Sequence, residues 1–197
     1  MIFENFQEFV ESEVSNLTNI QIDLKYKWIQ SQGGVQLGYK LHQCHQITQL
    51  RIYLQFNKIG KEGLSEIAKA IASCQFLKQL LINLGSNQIT SEDIQFFNDY
   101  LPQCTNLQDL SLDLICNQID NQGALELSNS ISLCRNLKSL SLELFCNNID
   151  LVGYLAVGKA IKQSKQIYTI KLLLNQNDKR LLQIIRKSER LVMQIQS

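Results

Sequence analysis

The sequence predicts an α/β solenoid, in which a curved parallel sheet lies on the concave side and helices lie on the convex side. The first observation is that the segment 104–119 returns thirty residues earlier and thirty residues later, with leucine, cysteine and asparagine in the same places. The second is that, in each copy, alternating apolar and polar residues precede apolar residues at helical spacing. A fixed period of this kind is typical of stacked repeats, and we expect about six repeats with terminal caps.

Residues 1–13 are predicted to form an N-terminal capping helix. The apolar residues that fall on one face of this helix are Ile2, Phe3, Phe6, Phe9 and Val10. The first repeat then begins near residue 14 and is imperfect, because Lys27 stands where later repeats have asparagine. Terminal repeats are commonly atypical, since one of their flanks faces water.

The repeat domain is expected to span residues 14–197. Its repeats start near residues 14, 44, 74, 104, 134 and 164, and a C-terminal cap covers 178–197. Each repeat opens with a half-buried strand, in which apolar and polar side chains alternate. A recurring asparagine follows each strand, at Asn57, Asn87, Asn117 and Asn147. Its amide can bond backbone groups that the turning chain leaves unpaired, so we predict an asparagine ladder between layers.

The second half of each repeat is predicted to be helical. Thr90, Asp120 and Asp150 are placed to cap the N-termini of their helices. Pro102 is expected to end one helix. Recurring glycines near the first turn, Gly63, Gly123 and Gly153, indicate tight packing between layers. The C-terminal cap is read as a short helix over 178–187 and a closing strand over 191–195.

Charge and composition indicate which partners and which cellular compartment to expect. The formal net charge of +1 provides no field that would attract nucleic acid or an acidic membrane. No stretch is long and apolar enough for a membrane span, and the N-terminus does not resemble a secretory signal. We therefore expect a cytoplasmic protein in a reducing environment, without nucleic acid or membrane as a partner. In that compartment the cysteines are expected to be buried thiols rather than disulfides.

Motifs for catalysis and metal binding are weak. His42, Cys44 and His45 lie close together, but a zinc site needs four ligands and no second pair is present. The segment 153–160 nearly matches a phosphate-binding loop, yet it aligns with an ordinary repeat helix and lacks the final hydroxyl residue. Both histidines fall in one loop, which leaves little for Ser-His or Cys-His catalysis. We predict a protein that is not an enzyme and uses no cofactor.

The repeating segment L-x-x-L-x-L-x-L-x-x-N, as in residues 104–119, resembles the leucine-rich repeat. It is two residues longer than the family's common form. The helical second half, with glycine near its start, resembles the ribonuclease-inhibitor-like subclass. This resemblance implies a solenoid that binds proteins through its concave face. Some members of the subclass activate small GTPases.

The candidate binding surface is therefore the polar side of the strands. Asp109, Asp113 and Glu143 are expected to cluster in the middle of the arc, near Ile115 and Phe145, and exposed apolar groups beside charges favour a partner site. The candidate protein-binding residues are Arg51, Tyr53, Asn83, Asp109, Ser111, Asp113, Ile115, Ser141, Glu143 and Phe145. The alternative at these positions is a solvated sheet face without a specific partner.

Three functional hypotheses follow. The first is a non-catalytic protein-protein interaction module, either a scaffold or adaptor or a structural subunit of a larger multiprotein complex. The second is a regulatory module of small GTPases, for which Arg51 is the one candidate arginine on the concave face. The third is one repeat domain of a longer multidomain protein. The identity of the protein partner does not follow from the sequence.

Overall fold

The computed structural model describes residues 1–173 and 192–196 of the chain. In that part of the chain one sheet holds eight parallel strands, placed in chain order. The strands are β1 (Ile2–Phe3), β2 (Asn19–Asp23), β3 (Gln49–Tyr53), β4 (Gln79–Asn83), β5 (Asp109–Asp113), β6 (Ser139–Glu143), β7 (Thr169–Leu173) and β8 (Val192–Gln196). The helices are α1 (Phe6–Glu11), α2 (Gln30–Leu41), α3 (Gly60–Ser73), α4 (Ser91–Tyr100), α5 (Asn121–Leu133) and α6 (Leu151–Gln163).

The repeat of thirty residues sets the register of the sheet. Leu50 lies opposite Leu80 and Leu80 opposite Leu110, and this offset holds from β2 to β7. Side chains alternate along each strand, so every second residue points to the helices and is buried. The predicted repeat solenoid is confirmed.

The sheet lies on the concave side because strands and helices have different widths. Adjacent strands are about 4.7–4.9 Å apart. Packed helices need an axial separation of about 8–10 Å. Each repeat adds one strand and one helix, and consecutive helices from α2 to α6 contact each other. The helical layer therefore becomes longer than the sheet, and the stack bends toward the sheet.

The asparagine ladder is present and links neighbouring repeats through backbone groups. The Asn87 amide is buried; its Oδ1 accepts from Asn57 N and Ile59 N at 3.1 and 3.2 Å. Its Nδ2 donates to Leu54 O at 2.9 Å. In the first repeat the Lys27 N–H is satisfied by Asn57 Oδ1 at 3.1 Å. That repeat therefore needs no asparagine of its own, since the next repeat supplies the acceptor.

The residue before each ladder position adopts a left-handed backbone in five consecutive repeats. None of these residues is glycine, although bulky residues rarely have positive φ. We call them the turn row: Tyr26 (φ 59°), Phe56 (φ 61°), Ser86 (φ 56°), Cys116 (φ 54°) and Cys146 (φ 57°). Their equivalent placement arranges the side chains in one line along the edge of the sheet where the strands end.

The N-terminal cap differs from the predicted helix at its start. Ile2 and Phe3 form a strand that pairs with β2, because the outer edge of β2 otherwise leaves backbone groups unpaired. Gln21 N donates to Met1 O at 2.9 Å. The helix begins only at Phe6, and Phe9 packs edge-on against Phe3 with ring centroids 5.1 Å apart. Both rings are buried and close the first core layer.

The C-terminal prediction is tested only in part. A closing strand is present as β8, which pairs with β7. The predicted helix over 178–187 lies outside the described residues. Among the described residues, no helix has the length and apolar character needed to cross a membrane.

The predicted N-caps of α5 and α6 and the predicted end of α4 are confirmed. Asp120 Oδ1 accepts from the backbone N–H groups of Gln122 and Gly123 at 2.9 and 3.1 Å, and Asp150 Oδ1 accepts from Val152 N at 2.7 Å. Helix α4 ends at Tyr100, before the turn that contains Pro102. A Cβ added at Gly153 would lie 2.6 Å from Asn121 Oδ1 in the neighbouring helix. These glycines let consecutive helices approach closely.

Candidate protein-binding face

The open face is defined as the sheet side that points away from the helices. Strand register places its side chains in columns that cross the repeats. One column contains Gln21, Arg51, Leu81, Ser111, Ser141 and Lys171. The next contains Asp23, Tyr53, Asn83, Asp113 and Glu143. All strand residues of the predicted binding set thus lie on one surface.

A shallow basin occupies the first column. It has a volume of about 290 Å³, and its lining includes Arg51, Asp109, Ser111 and Ser141. The basin exists because serines in β5 and β6 replace the longer side chains of β3. Arg51 is exposed at its edge, and no ion pair with another described residue holds the guanidinium. The basin can accept a small side chain or an acidic group from a partner.

Two carboxylates lie side by side in the second column. Asp113 is the register partner of Glu143. Asp113 Oδ1 accepts from Ile115 N at 2.9 Å, and Glu143 Oε1 accepts from Lys171 Nζ at 3.2 Å. Burial raises the pKa of the Asp113 carboxyl above its usual value, and the neighbouring Glu143 adds to this rise. This acidic pair is therefore only partly solvated and favours a cationic neighbour.

Asp109 does not join the acidic pair. It lies four residues before Asp113 on β5, a separation of about 13 Å along a strand. Its carboxylate instead accepts from Gln79 Nε2 at 3.0 Å. The three acidic residues that were predicted to cluster thus belong to two separate parts of the open face: Asp109 to the basin, and Asp113 and Glu143 to the acidic pair. The prediction did not take account of the distance along the strand.

Apolar surface adjoins the acidic pair where β5 and β6 end. Ile115 is half-buried, while Phe145 exposes 45% of its surface. Cys116 N donates to Phe145 O at 3.0 Å, so the segments that follow β5 and β6 remain paired through this region. An exposed phenyl ring beside a partly desolvated carboxylate pair offers a partner both an apolar and a charged contact.

Sequence reasoning missed an aromatic cluster in the first two repeats. Tyr26 and Phe56 stack with ring centroids 4.7 Å apart, and Lys58 Nζ lies 5.1 Å from the centre of the Trp28 ring. Tyr26 and Trp28 are 59% and 61% exposed. Tyr26 and Phe56 are thirty residues apart, and this spacing alone could have predicted their contact. Aromatic side chains held on strained backbone are common at binding sites.

The candidate metal and phosphate motifs have ordinary places in the fold. Cys44 is buried, and its Sγ lies 3.7 Å from Lys40 O. Among the described residues no three His, Cys, Asp or Glu side chains are grouped to hold a metal ion. The segment 153–160 lies inside α6, where its backbone N–H groups serve the helix. It therefore forms no phosphate-binding loop.

The cysteines divide into two groups. Cys44, Cys74, Cys104 and Cys134 are buried at the turn before each strand, as predicted. Burial raises the pKa of the Cys104 thiol to about 12. Cys116 and Cys146, in contrast, are exposed in the turn row, so the prediction that they are buried was wrong. Their position after the strands, rather than before them, explains the difference.

Strand, turn and helix thus repeat with one register and one asparagine ladder. This defines the class of fold, a parallel solenoid with one open sheet face. Comparison with known proteins agrees with that class. The family model described as Leucine Rich repeat matches residues 50–68. The chain has the fold of a leucine-rich-repeat solenoid. No curated protein matches the sequence.

Two solved structures share the fold. A tropomodulin C-terminal domain of Caenorhabditis elegans superimposes with a TM-score of 0.61 at 10% identity, over 79% of this chain and 92% of that one. A structure described as leiomodin-1 actin-binding site 2 has a TM-score of 0.61 at 14% identity, over 78% of this chain and 86% of that one. At these identities the likeness shows the fold alone.

Proposed function

We propose that this protein is a non-catalytic protein-protein interaction module, acting as a scaffold or adaptor or as a structural subunit of a larger assembly, in a reducing cytoplasmic compartment. The observation that carries the proposal is the acidic pair Asp113 and Glu143 beside exposed Phe145. A partner that presents Lys or Arg next to an apolar side chain would complement both parts. Strands of 5 residues alternating with helices of 12–14 residues in the first and second repeats support assignment to the ribonuclease-inhibitor-like subclass.

The regular backbone bonding between repeats supports a binding role for the open face. The ladder amides and the parallel strands fix the backbone of each repeat to that of the next. Such a surface is pre-organised, which reduces the entropy lost on association. Complementary charge at its edge would speed the encounter and make it dependent on salt.

The test begins with affinity purification on the immobilised protein and identification of bound proteins by mass spectrometry. Actin is the first purified protein to try, because one structure with this fold is described as an actin-binding site. Affinity is then compared between the wild type and the double variant Asp113→Lys, Glu143→Lys. We expect at least a tenfold weaker Kd, since close charge pairs at interfaces contribute about 1.5 kcal/mol or more.

A control is Lys159→Glu, a charge reversal at an exposed residue of α6 on the helical side. Its Kd should stay within a factor of about two of the wild-type value. Circular dichroism must show that both variants keep the fold. An unchanged Kd for the open-face variant, with the fold intact, would remove the acidic pair from the binding site.

A second candidate function is regulation of small GTPases, and Arg51 is the observation that favours it. The guanidinium is exposed at the edge of the basin, where it could meet a nucleotide phosphate. An arginine supplied in trans can accelerate GTP hydrolysis by about 10³–10⁵. Single-turnover hydrolysis by a panel of small GTPases, with wild type and Arg51→Ala, tests this function. No acceleration by the wild type would exclude it for that panel.

A further inference from the structure

Cys116 and Cys146 occupy the same place in adjacent repeats. Both belong to the turn row, with φ of 54° and 57°, and both are exposed. Each directly precedes a ladder asparagine, whose amide holds the turn against the neighbouring repeat: Asn117 Nδ2 donates to Leu84 O at 3.1 Å, and Asn147 Nδ2 donates to Leu114 O at 2.9 Å. The backbone positions of the two cysteines are therefore fixed relative to each other. This pair of thiols plays no part in the proposed protein-binding function.

The distance between the two residues suits a disulfide. Asp113 and Glu143 are register partners, and the same offset of thirty leads to Cys116 and Cys146. Pairing continues to this point, since Cys116 N donates to Phe145 O at 3.0 Å. Adjacent strands are about 4.7–4.9 Å apart. Disulfides accept Cα separations of about 4.4–6.8 Å. The two side chains are also close enough to interact with each other.

We propose that Cys116 and Cys146 form a dithiol modification site, which a low-molecular-weight disulfide such as glutathione disulfide oxidises to an intramolecular disulfide. The oxidised form would join the turns that follow β5 and β6. These turns adjoin Phe145, so the site lies at the margin of the open face.

The reaction takes place in two exchange steps. One cysteine, as its thiolate, attacks a sulfur of the small disulfide; the S–S bond breaks, one small thiol leaves with the electron pair, and a mixed disulfide forms. The second cysteine loses its proton and attacks the protein sulfur of that mixed disulfide. A second small thiol leaves, and the Cys116–Cys146 bond forms. The protein loses two protons and two electrons, and the small disulfide is reduced to two thiols.

The surroundings explain why these two thiols should react and the others should not. Burial raises the pKa of Cys44, Cys104 and Cys134 to about 12, which keeps these thiols protonated and unreactive. The pKa of Cys116 is also raised, by desolvation and by its hydrogen bond to Cys146, with nearby Asp113 adding to the rise and Ser86 opposing it. Exposure and a partner in contact, rather than strong acidity, therefore distinguish the pair.

The test is intact-mass analysis of the native protein after incubation with glutathione disulfide. The wild type should lose two hydrogens and carry no glutathione, because the second thiol displaces it. Cys116→Ser and Cys146→Ser should each retain one glutathione, since the resolving thiol is missing. After denaturation and alkylation, the four buried cysteines of the wild type should all be labelled.

Ser86 provides a matched control for geometry, since it occupies the same place one repeat earlier. In the variant Ser86→Cys, Cys146→Ser the thiols are in adjacent repeats, and an internal disulfide should form again. In Ser86→Cys, Cys116→Ser they are two repeats apart, about 10 Å, which is too far for a disulfide. This variant should carry two glutathiones instead.

Three results would overturn the proposal. A wild type with two glutathiones and no loss of hydrogen would show that the thiols are accessible but cannot join. A wild type that stays unmodified while both single variants also stay unmodified would show that the thiols are not accessible. A disulfide between Cys104 and Cys134, which share the spacing of thirty, would mean that oxidation reports unfolding and would equally refute it.

Discussion

Asn117→Ala tests the role of the asparagine ladder most severely. The Asn117 side chain is 8% exposed. Its Oδ1 accepts from Asn87 N at 3.1 Å and Ile89 N at 2.9 Å. Its Nδ2 donates to Leu84 O at 3.1 Å and Leu114 O at 3.0 Å. Alanine would leave these buried backbone groups of two repeats without their partner.

The expected loss of stability follows from those contacts. A buried polar group left without a partner costs about 1–3 kcal/mol. Two N–H groups and at least one carbonyl lose their bonds, and water entering the space left by the amide restores part of the loss. We expect a decrease of about 3–5 kcal/mol in the free energy of unfolding. Total stabilities are about 5–15 kcal/mol, so this variant should be close to the limit of folding.

The measurement is urea unfolding followed by circular dichroism. Gln118→Ala is the control, because Gln118 is the exposed neighbour and its substitution should change stability by less than about 0.5 kcal/mol. The loss of stability for Asn147→Ala should lie between those of Gln118→Ala and Asn117→Ala, since Asn147 is only half-buried. A loss below about 1 kcal/mol for Asn117→Ala would refute the claim that the ladder amides satisfy backbone that nothing else can satisfy.

Four further predictions follow from other features of the structure. Gly153→Ala should destabilise by about 1–3 kcal/mol in thermal unfolding, because its Cβ would lie 2.6 Å from Ile149 Cγ2 and Asn121 Oδ1; no loss would show that α5 and α6 can separate. Asp113→Asn should be more stable than wild type at pH 7, since the raised pKa makes the ionised form costly in the folded state, and the difference should vanish below about pH 4. The opposite sign is expected at Asp120, whose pKa is lowered by the Ser91 hydroxyl. Asp120→Ala should lose about 1 kcal/mol of stability at pH 7, and less as the pH falls through the lowered pKa. Oxidation of Cys116 and Cys146 should raise stability by about 3–4 kcal/mol, because it closes a loop of thirty residues in the unfolded chain; equal unfolding midpoints of the reduced and oxidised forms would contradict this.

The repeat made most of the fold predictable from the sequence. Leu110, Leu112 and Asn117 recur at one spacing, and each has a single role that the spacing reveals. The first residues were harder to predict, because Ile2 and Phe3 also fit a helical stripe. They form a strand only because the edge of β2 requires a partner. That requirement is tertiary and leaves no periodic trace in the sequence.

The candidate site was predictable in part. Strand alternation placed Arg51, Ser111 and Glu143 on the open face, as the structure has them. The sequence prediction placed Asp109 with the acidic pair, but Asp109 lies four residues from Asp113 along β5 and is therefore too far away. The aromatic cluster and the thiol pair were missed because left-handed turns direct their side chains outward. The residues that precede the ladder positions share no residue type, so the sequence gives no sign of these turns except their position.

The most direct test of the binding face is hydroxyl-radical footprinting of the protein alone and in complex with a captured partner. Oxidation of Tyr53, Ile115 and Phe145 should decrease strongly in the complex, because these side chains lie on or beside the open face. Leu125 and Val152, which are exposed on α5 and α6, should be oxidised equally in both states. Protection of Leu125 and Val152 with no change at Tyr53 and Phe145 would place the partner on the helices and contradict the account.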